Sequence, residues 1–194
     1  MRYDAEHREK THESLVDAAA ALVRRDGPEK ISVAELMKSV GLTHGGFYYH
    51  FSSREDMIAR AIERAFSSTV ARLETIAAKE TPAVAIREYV ERYLSPAHRD
   101  HRSTGCPLPT LTAQIAQLGD DARQAFEQGA ARLTSTLATM LEQAGRVDSG
   151  ALAISMLAEM SGALSISRVI ADPARSDELL RICRETVLER VLPD

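Results

Sequence analysis

The stretch 41–56, GLTHGGFYYHFSSRED, sets Thr43, His44, Tyr48, Tyr49 and His50 within eight positions of one another. Phenol and imidazole groups donate hydrogen bonds to phosphate oxygens, the contacts that set a protein's register on a nucleic-acid duplex. Four of the chain's nine Phe and Tyr residues (Phe47, Tyr48, Tyr49, Phe51) lie here, beside paired glycines at 45 and 46. Glycine costs roughly 1 kcal/mol in a helix interior. It also removes side-chain bulk, so that backbone N–H groups can approach a groove wall. Phe47 and Phe51, four apart, share one helical face with Leu42 and are read as anchors to the preceding helix.

A second chemistry is offered by STGCPLPTLTAQI, residues 103–115. Pro107 suits the first turn of a helix expected over 107–117, which puts Cys106 at or next to its N-cap. Free N–H groups and the helix dipole favour a thiolate there, with Arg99 and Arg102 just upstream. A low-pKa, partly exposed cysteine reacts with electrophiles and oxidants, so Cys106 is a sensor candidate; the plain alternative is a small residue filling a tight turn. Cys183, on an apolar helical stripe, reads as core. His98, His101 and Cys106 suggest a metal site, but a fourth ligand is missing from a polar loop, and no metal is expected. No nucleophile, base and acid fall at a recognisable spacing, so neither enzymatic activity nor a cofactor is expected.

These residues must be positioned by helices, because no stretch reads as a strand. Leu15, Ala19, Leu22 and Val23 mark one face of a first helix that Gly27-Pro28 stops. Ser32 with Glu35 makes a capping box, and Ile31 with Leu36 a hydrophobic staple, for a second helix ending at Gly41. Leu42, Thr43 and Phe47 repeat that pattern for a third helix beginning at His44. Ser52 with Glu55 and Ser53 with Asp56 open a fourth, whose apolar stripe runs Ile58, Ala61, Ile62, Ala65, Phe66, Val70, Leu73. Longer helices are expected over 82–94, 107–117, 119–144, 148–171 and 174–191. The fold class is therefore all-α: a helix-turn-helix unit over 1–52, then a long-helix bundle over 53–194.

The chain has 194 residues, 44% apolar and 27% charged, an ordinary balance for a globular protein. Its net charge of −4 gives no overall pull toward nucleic acid or acidic membranes. Residues 1–54 carry eight Lys/Arg against eight Asp/Glu, so the negative balance belongs to the remainder. The segment MRYDAEHREK lacks the apolar core of a signal peptide, and two distant cysteines argue against a disulfide framework; a cytoplasmic location is expected. Residues 151–171 could be mistaken for a membrane span. A charge such as Glu159 at its centre costs roughly 2.5–3.5 kcal/mol on insertion scales, so a buried helix is the better reading, with no membrane partner.

A capped short helix, a glycine turn and a second capped short helix make a helix-turn-helix. Here ISVAELMKSVGLTHGGFYYHFSSREDMIARAI, residues 31–62, resembles the DNA-binding signature of the TetR family of bacterial transcriptional regulators. In that resemblance Gly41 matches the turn glycine, Tyr48 a phosphate-contacting tyrosine and Phe51 the helix anchor. Arg54 falls where the family has a backbone-touching lysine, and His50 at a position often basic or aromatic. Val33 departs from a common threonine, and Gly45 leaves bare a position that often reads a base. That shifts readout to Thr43, His44 and Tyr49. The DNA-contacting set is then Ser32, Thr43, His44, Gly45, Tyr48, Tyr49, His50 and Arg54. STGCP also resembles a subgroup with Gly-Cys at the start of its sixth helix, some members of which sense electrophiles through that cysteine.

The resemblance implies a homodimer that binds palindromic operator DNA and is released by a small-molecule effector. Modification of Cys106 by an electrophile is an alternative trigger, and a helical protein-interaction module without DNA binding the remote one. Apolar stripes on the last two helices suggest the dimer surface, with Leu157, Leu164, Leu179, Ile182, Val187 and Val191 as its contacts. Phe66, Tyr89, Tyr93, Leu111, Phe126, Met140 and Met160 fall on helices that could line an effector pocket, though the same types build ordinary core.

Overall fold

A computed structural model describes residues 2–192, with side chains from residue 6 onward. Among the described residues every regular element is helical. Helix α1 is Arg2–Asp26, α2 Val33–Ser39, α3 Phe47–His50, α4 Arg54–Ala77 and α5 Pro82–Tyr93. Then come α6 Pro96–Asp100, α7 Leu108–Leu111, α8 Asp120–Gln143, α9 Ser149–Ser167 and α10 Pro173–Val191. Helix α1 starts well before Leu15, the first residue of its expected apolar face, and α9 stops short of the expected residue 171.

The local signals at the N-terminal unit form as their chemistry requires. Ser32 Oγ accepts from the Glu35 N–H at 3.4 Å and Ser53 Oγ from the Asp56 N–H at 3.1 Å, capping α2 and α4. Ser52 acts differently from expectation: its N–H and hydroxyl both donate to Asp56 rather than meeting Glu55. Gly41, at φ +75°, closes α2 with Leu42 N–H on the Met37 carbonyl and Gly41 N–H on that of Lys38. That pair of bonds is a Schellman motif, which needs a left-handed residue at this position. The third helix is shorter than expected. A 3₁₀ turn over His44–Gly46 leads into a single α turn, and Thr43 makes no side-chain cap.

One core runs through the whole chain, from Leu15 and Val23 of α1 through Phe47, Phe51, Met57 and Ile62 to Leu133, Met156 and Val187. Helix α4 packs on both α1 and α8, and α9 lies between α8 and α10. That sandwiching of α9 corrects the expected dimer contacts. Leu157, Leu164, Val187 and Val191 are buried inside the chain itself, consumed by the packing of α8, α9 and α10. Of the expected set only Ile182 is well exposed, with Leu179 half-buried. The outer face of α9 instead shows Ile154 and Ile166, with Val169 exposed in the turn just beyond its end. Helix α9 has the length and hydropathy of a membrane span. Its inner face is buried, however, and Glu159 pairs with Arg190 at 2.5 Å.

The closest approach between α4 and α8 depends on Gly129. A Cβ built there would stand 2.3 Å from Phe66 Cγ and 2.7 Å from Phe66 Cβ, inside the van der Waals limit of atoms that cannot swing away. Gly129→Ala should therefore force α8 off α4, at a cost of about 1–3 kcal/mol for an overpacked contact. For a chain of this length that is a drop in Tm of several degrees, read by thermal denaturation. An unchanged Tm would mean that the two helices separate freely.

Candidate nucleic-acid interface and effector cavity

Phe47 and Phe51 are buried, with ring centroids 5.3 Å apart, and hold α3 against the core as expected. The same geometry turns Tyr48 and Tyr49 outward, 75% and 62% exposed. Thr43, His44 and Gly45 are also exposed. A Cβ at Gly45 would meet nothing within 4 Å, so the fold itself does not demand glycine there. A bare, open backbone at the start of the second helix-turn-helix element leaves room for a close external surface.

Three of the expected contacts have work inside the protein. Ser32 is the α2 cap. One nitrogen of Arg54 donates to the carbonyls of Pro28, at 2.8 Å, and Glu29, at 3.2 Å, tying the start of α4 to the turn after α1. His50 faces inward rather than out. Its ring stacks on His12 at 6.0 Å, meets Tyr49 edge-on, and its buried Nδ1 has no hydrogen-bond partner among the described residues. The sequence reading missed Arg8, whose guanidinium lies 4.5 Å from the Tyr49 ring centre and extends the exposed surface onto α1. Its signal lay outside the quoted stretch, in the basic residues of a helix whose start had been placed too late.

At the far end of α4 lies a cavity of about 320 Å³. Thr69, Arg72, Leu73 and Ile76 of α4 form one wall, Tyr89 and Tyr93 of α5 another, and the 95–106 segment the rest. Of the seven expected pocket residues only these two tyrosines line it. Phe66 stacks edge-on with Phe126 at 5.4 Å, while Leu111, Met140 and Met160 are buried in the core. The physical reason is Gly129, which lets α8 close onto Phe66 and leaves no space there. Arg72 was missed, although a lone arginine between Val70 and Leu73 interrupts the apolar stripe of α4.

The hydroxyls of Tyr89 and Tyr93 are buried without a well-formed hydrogen bond among the described residues, that of Tyr93 having only the Cys106 thiol and the Ser161 side chain within its influence. Each unmade bond costs about 1–3 kcal/mol. Burial holds both phenols well above their ordinary pKa, so both keep their proton.

His98 closes the floor. Its Nε2 accepts from the Cys106 N–H at 2.9 Å, so the ring proton sits on Nδ1, which donates to the Tyr93 carbonyl at 2.8 Å. With both nitrogens engaged, His98 is no metal ligand. No group of three or more His, Cys, Asp or Glu is placed to hold a metal among the described residues. Gly105 permits this floor, since a Cβ there would lie 2.5 Å from His98 Nε2.

Cys106 departs most from expectation. Cys106 does stand next to the N-cap, which is Pro107, but α7 is a single turn rather than the helix expected over 107–117, too short to present much dipole. The thiol is 3% exposed. Burial pushes its pKa up, opposed by the Tyr93 hydroxyl and by the charges of Arg24 and Arg72. The upstream arginine expected to assist it is engaged elsewhere, Arg99 pairing with Asp100 and Asp177.

A buried helix-turn-helix scaffold with exposed tyrosines, joined by one long helix to an open cavity, matches known proteins at both ends. The sequence model described as bacterial regulatory proteins, tetR family, covers residues 15–61. The one described as the C-terminal domain of LmrA/YxaF-like transcriptional regulators covers residues 82–185, more than half of the chain. The chain belongs to the TetR family of transcriptional regulators. Among relatives, it is 27% identical over 123 residues to the uncharacterised regulator YfiR of Bacillus subtilis, spanning 63% of this chain and 60% of that protein. It is 26% identical over 134 residues to the transcriptional repressor NemR of Escherichia coli, spanning 68% and 67% respectively. The solved reduced form of E. coli NemR superposes with a TM-score of 0.79 at 23% identity, covering 92% of this chain and 95% of that one. A TetR-family regulator from Agrobacterium tumefaciens gives 0.79 at 19%, covering 94% and 98%. At such identities these structures establish the shared fold. Membership of the TetR family leaves the interaction module without DNA binding as no longer a competing account.

Burial holds the His98 pKa down to about 4, against 6.5 for the free group. Between those values the unfolded TetR-family chain binds more protons than the folded one, so stability falls as pH drops from 6.5 toward 4. The full loss from this group is about 3 kcal/mol. His98→Gln should flatten that part of the profile, checked by comparing urea midpoints of both proteins at pH 5 and pH 7. Equal midpoint shifts in the two would show that His98 does not carry it.

Proposed function

We propose that the protein is a homodimeric repressor that binds a palindromic operator and is released by a small effector in the cavity at the end of α4. The observation that carries this is α4 itself. Its 24 residues run from Arg54, beside the helix-turn-helix, to Thr69, Arg72, Leu73 and Ile76 on the cavity wall. At 1.5 Å per residue that is a rod of about 36 Å. An occupant pressing on the cavity end tilts the rod, and the tilt displaces the DNA-reading end. The protein acts by binding and not as an enzyme, and works in the cytoplasm on double-stranded DNA.

On the DNA side Tyr48 contacts phosphate, while Thr43, His44 and Tyr49 approach the bases, supported by their outward exposure. The dimer forms through the outer face of α9, where Ile154 and Ile166 are exposed and Gly162 leaves open space, continued by Val169 just beyond its end and by Ile182 of α10. A two-fold axis there sets two recognition elements along the operator about one helical turn apart, roughly 34–36 Å. A second trigger, covalent capture of an electrophile at Cys106, is favoured by its place on the cavity wall and opposed by its raised pKa.

The test is a gel shift against palindromic sites selected from random DNA. His44→Ala should relax preference at one half-site position, and Tyr48→Phe should weaken binding about fivefold on every sequence, the worth of one hydrogen bond of about 1 kcal/mol. Variants that shift like the parent would move the reading surface elsewhere. For assembly, Ile154→Asp with Ile166→Asp should give a folded monomer by light scattering, because both positions are exposed in the single chain. A persistent dimer would remove α9 from the interface. Iodoacetamide at pH 7 should label Cys106 slowly; rapid labelling would favour the covalent trigger.

A further inference from the structure

The chemistry of the cavity wall specifies its occupant more narrowly than its size does. Tyr89 and Tyr93 are 7% and 3% exposed, and both line the cavity while their buried hydroxyls make no well-formed hydrogen bond among the described residues. The polar groups around them are donors or are already spent. The lone pair of His98 Nε2 is taken by the Cys106 N–H, and the Thr69 hydroxyl donates to the Ala65 carbonyl. Asp and Glu are absent from the lining.

Positive charge is concentrated behind this wall. Arg72 lines the cavity and is held by the Thr104 carbonyl at 2.6 Å. Arg24 and Arg168 act electrostatically on Cys106 from behind it. All three are bonded only to neutral oxygens, and none forms an ion pair among the described residues. Arg92, also on the wall, is neutralised by Glu88 at 3.0 Å. Three guanidiniums without counter-charge, two idle phenol donors and an otherwise apolar wall formed by Leu73, Ile76 and the tyrosine rings make a receptor for negative charge on an apolar body. A volume of about 320 Å³ lies at the small end of ligand pockets and suits one ring or a short chain.

We propose that the effector is a compact apolar carboxylate, its oxygens received by the Tyr89 and Tyr93 hydroxyls and its body against Leu73 and Ile76. This rests on the reading of the cavity as the effector site. Ordinary phenols donate well to carboxylate, and charge-assisted bonds of this kind are roughly twice as strong as neutral ones.

The experiment is calorimetric titration of the full chain with benzoate, phenylacetate and hexanoate, each beside its neutral amide. At least one carboxylate should bind ten times or more tighter than its amide. Tyr89→Phe with Tyr93→Phe should abolish that preference while leaving the ligand-free Tm unchanged or higher, since neither lost hydroxyl made a well-formed hydrogen bond. Equal binding of acid and amide, no binding by any of the three acids, or full preference in the double Phe variant would each overturn the proposal. Operator binding is measured in parallel. A carboxylate that binds with its predicted preference but leaves the operator complex intact overturns release by an effector and upholds the ligand class. A neutral molecule that displaces the operator and competes for the cavity overturns the class and upholds release.

Discussion

The Arg24 side chain is the point at which the two halves of the molecule are joined. It leaves the last turn of α1, is 7% exposed, and donates to the Ala65 carbonyl at 2.7 Å and to the Ser68 hydroxyl, both on α4. Its own carbonyl accepts from Thr110 at 2.8 Å, on the single-turn helix that follows Cys106. One residue thus binds the DNA-reading unit, the connecting helix and the back of the cavity. Burial lowers its pKa to about 10, which still leaves it charged at neutral pH. A buried charge held only by neutral oxygens is costly to house. It is tolerated here because both of those oxygens lie on α4, so that the side chain ties α1 to α4 while its own carbonyl holds Thr110 in register.

From that junction the rest of the architecture follows. Helix α4 is clamped near its start by Arg54 on the 28–29 carbonyls, near its middle by Arg24, and along its other side by α8 through Phe66 and Gly129. Its last turns, from Thr69 onward, border the cavity beside Tyr89 and Tyr93. A push at the cavity end of such a rod would strain the clamps at its middle and start, which is how the proposed function couples the cavity to the helix-turn-helix.

The helix-turn-helix was legible in the sequence because its determinants are local. A serine cap, a glycine in left-handed backbone and two phenylalanines four apart act within one or two turns, and the structure forms each of them. What failed there failed at the next scale: Thr43 makes no cap, and His50 turns toward α1 because His12 offers it a stacking partner. The cavity was half legible. Tyr89 and Tyr93 line it, but Phe66 and Met140 do not, and that division is set by a glycine in α8 that only tertiary packing brings against α4. The last two helices are apolar on more than one side, so periodicity alone could not say whether Leu157 or Ile154 faces inward. The neighbours α8 and α10 decide it.

Cys106 shares its wall with the two phenols and reaches solvent with only 3% of its surface. Anything that fills the space therefore also shields the sulfur, and anything attached to the sulfur takes up the space. On the proposed reading, effector and electrophile would be mutually exclusive tenants of one volume, and the regulator would behave as an either-or gate, with a saturating ligand leaving it blind to damage at its own thiol.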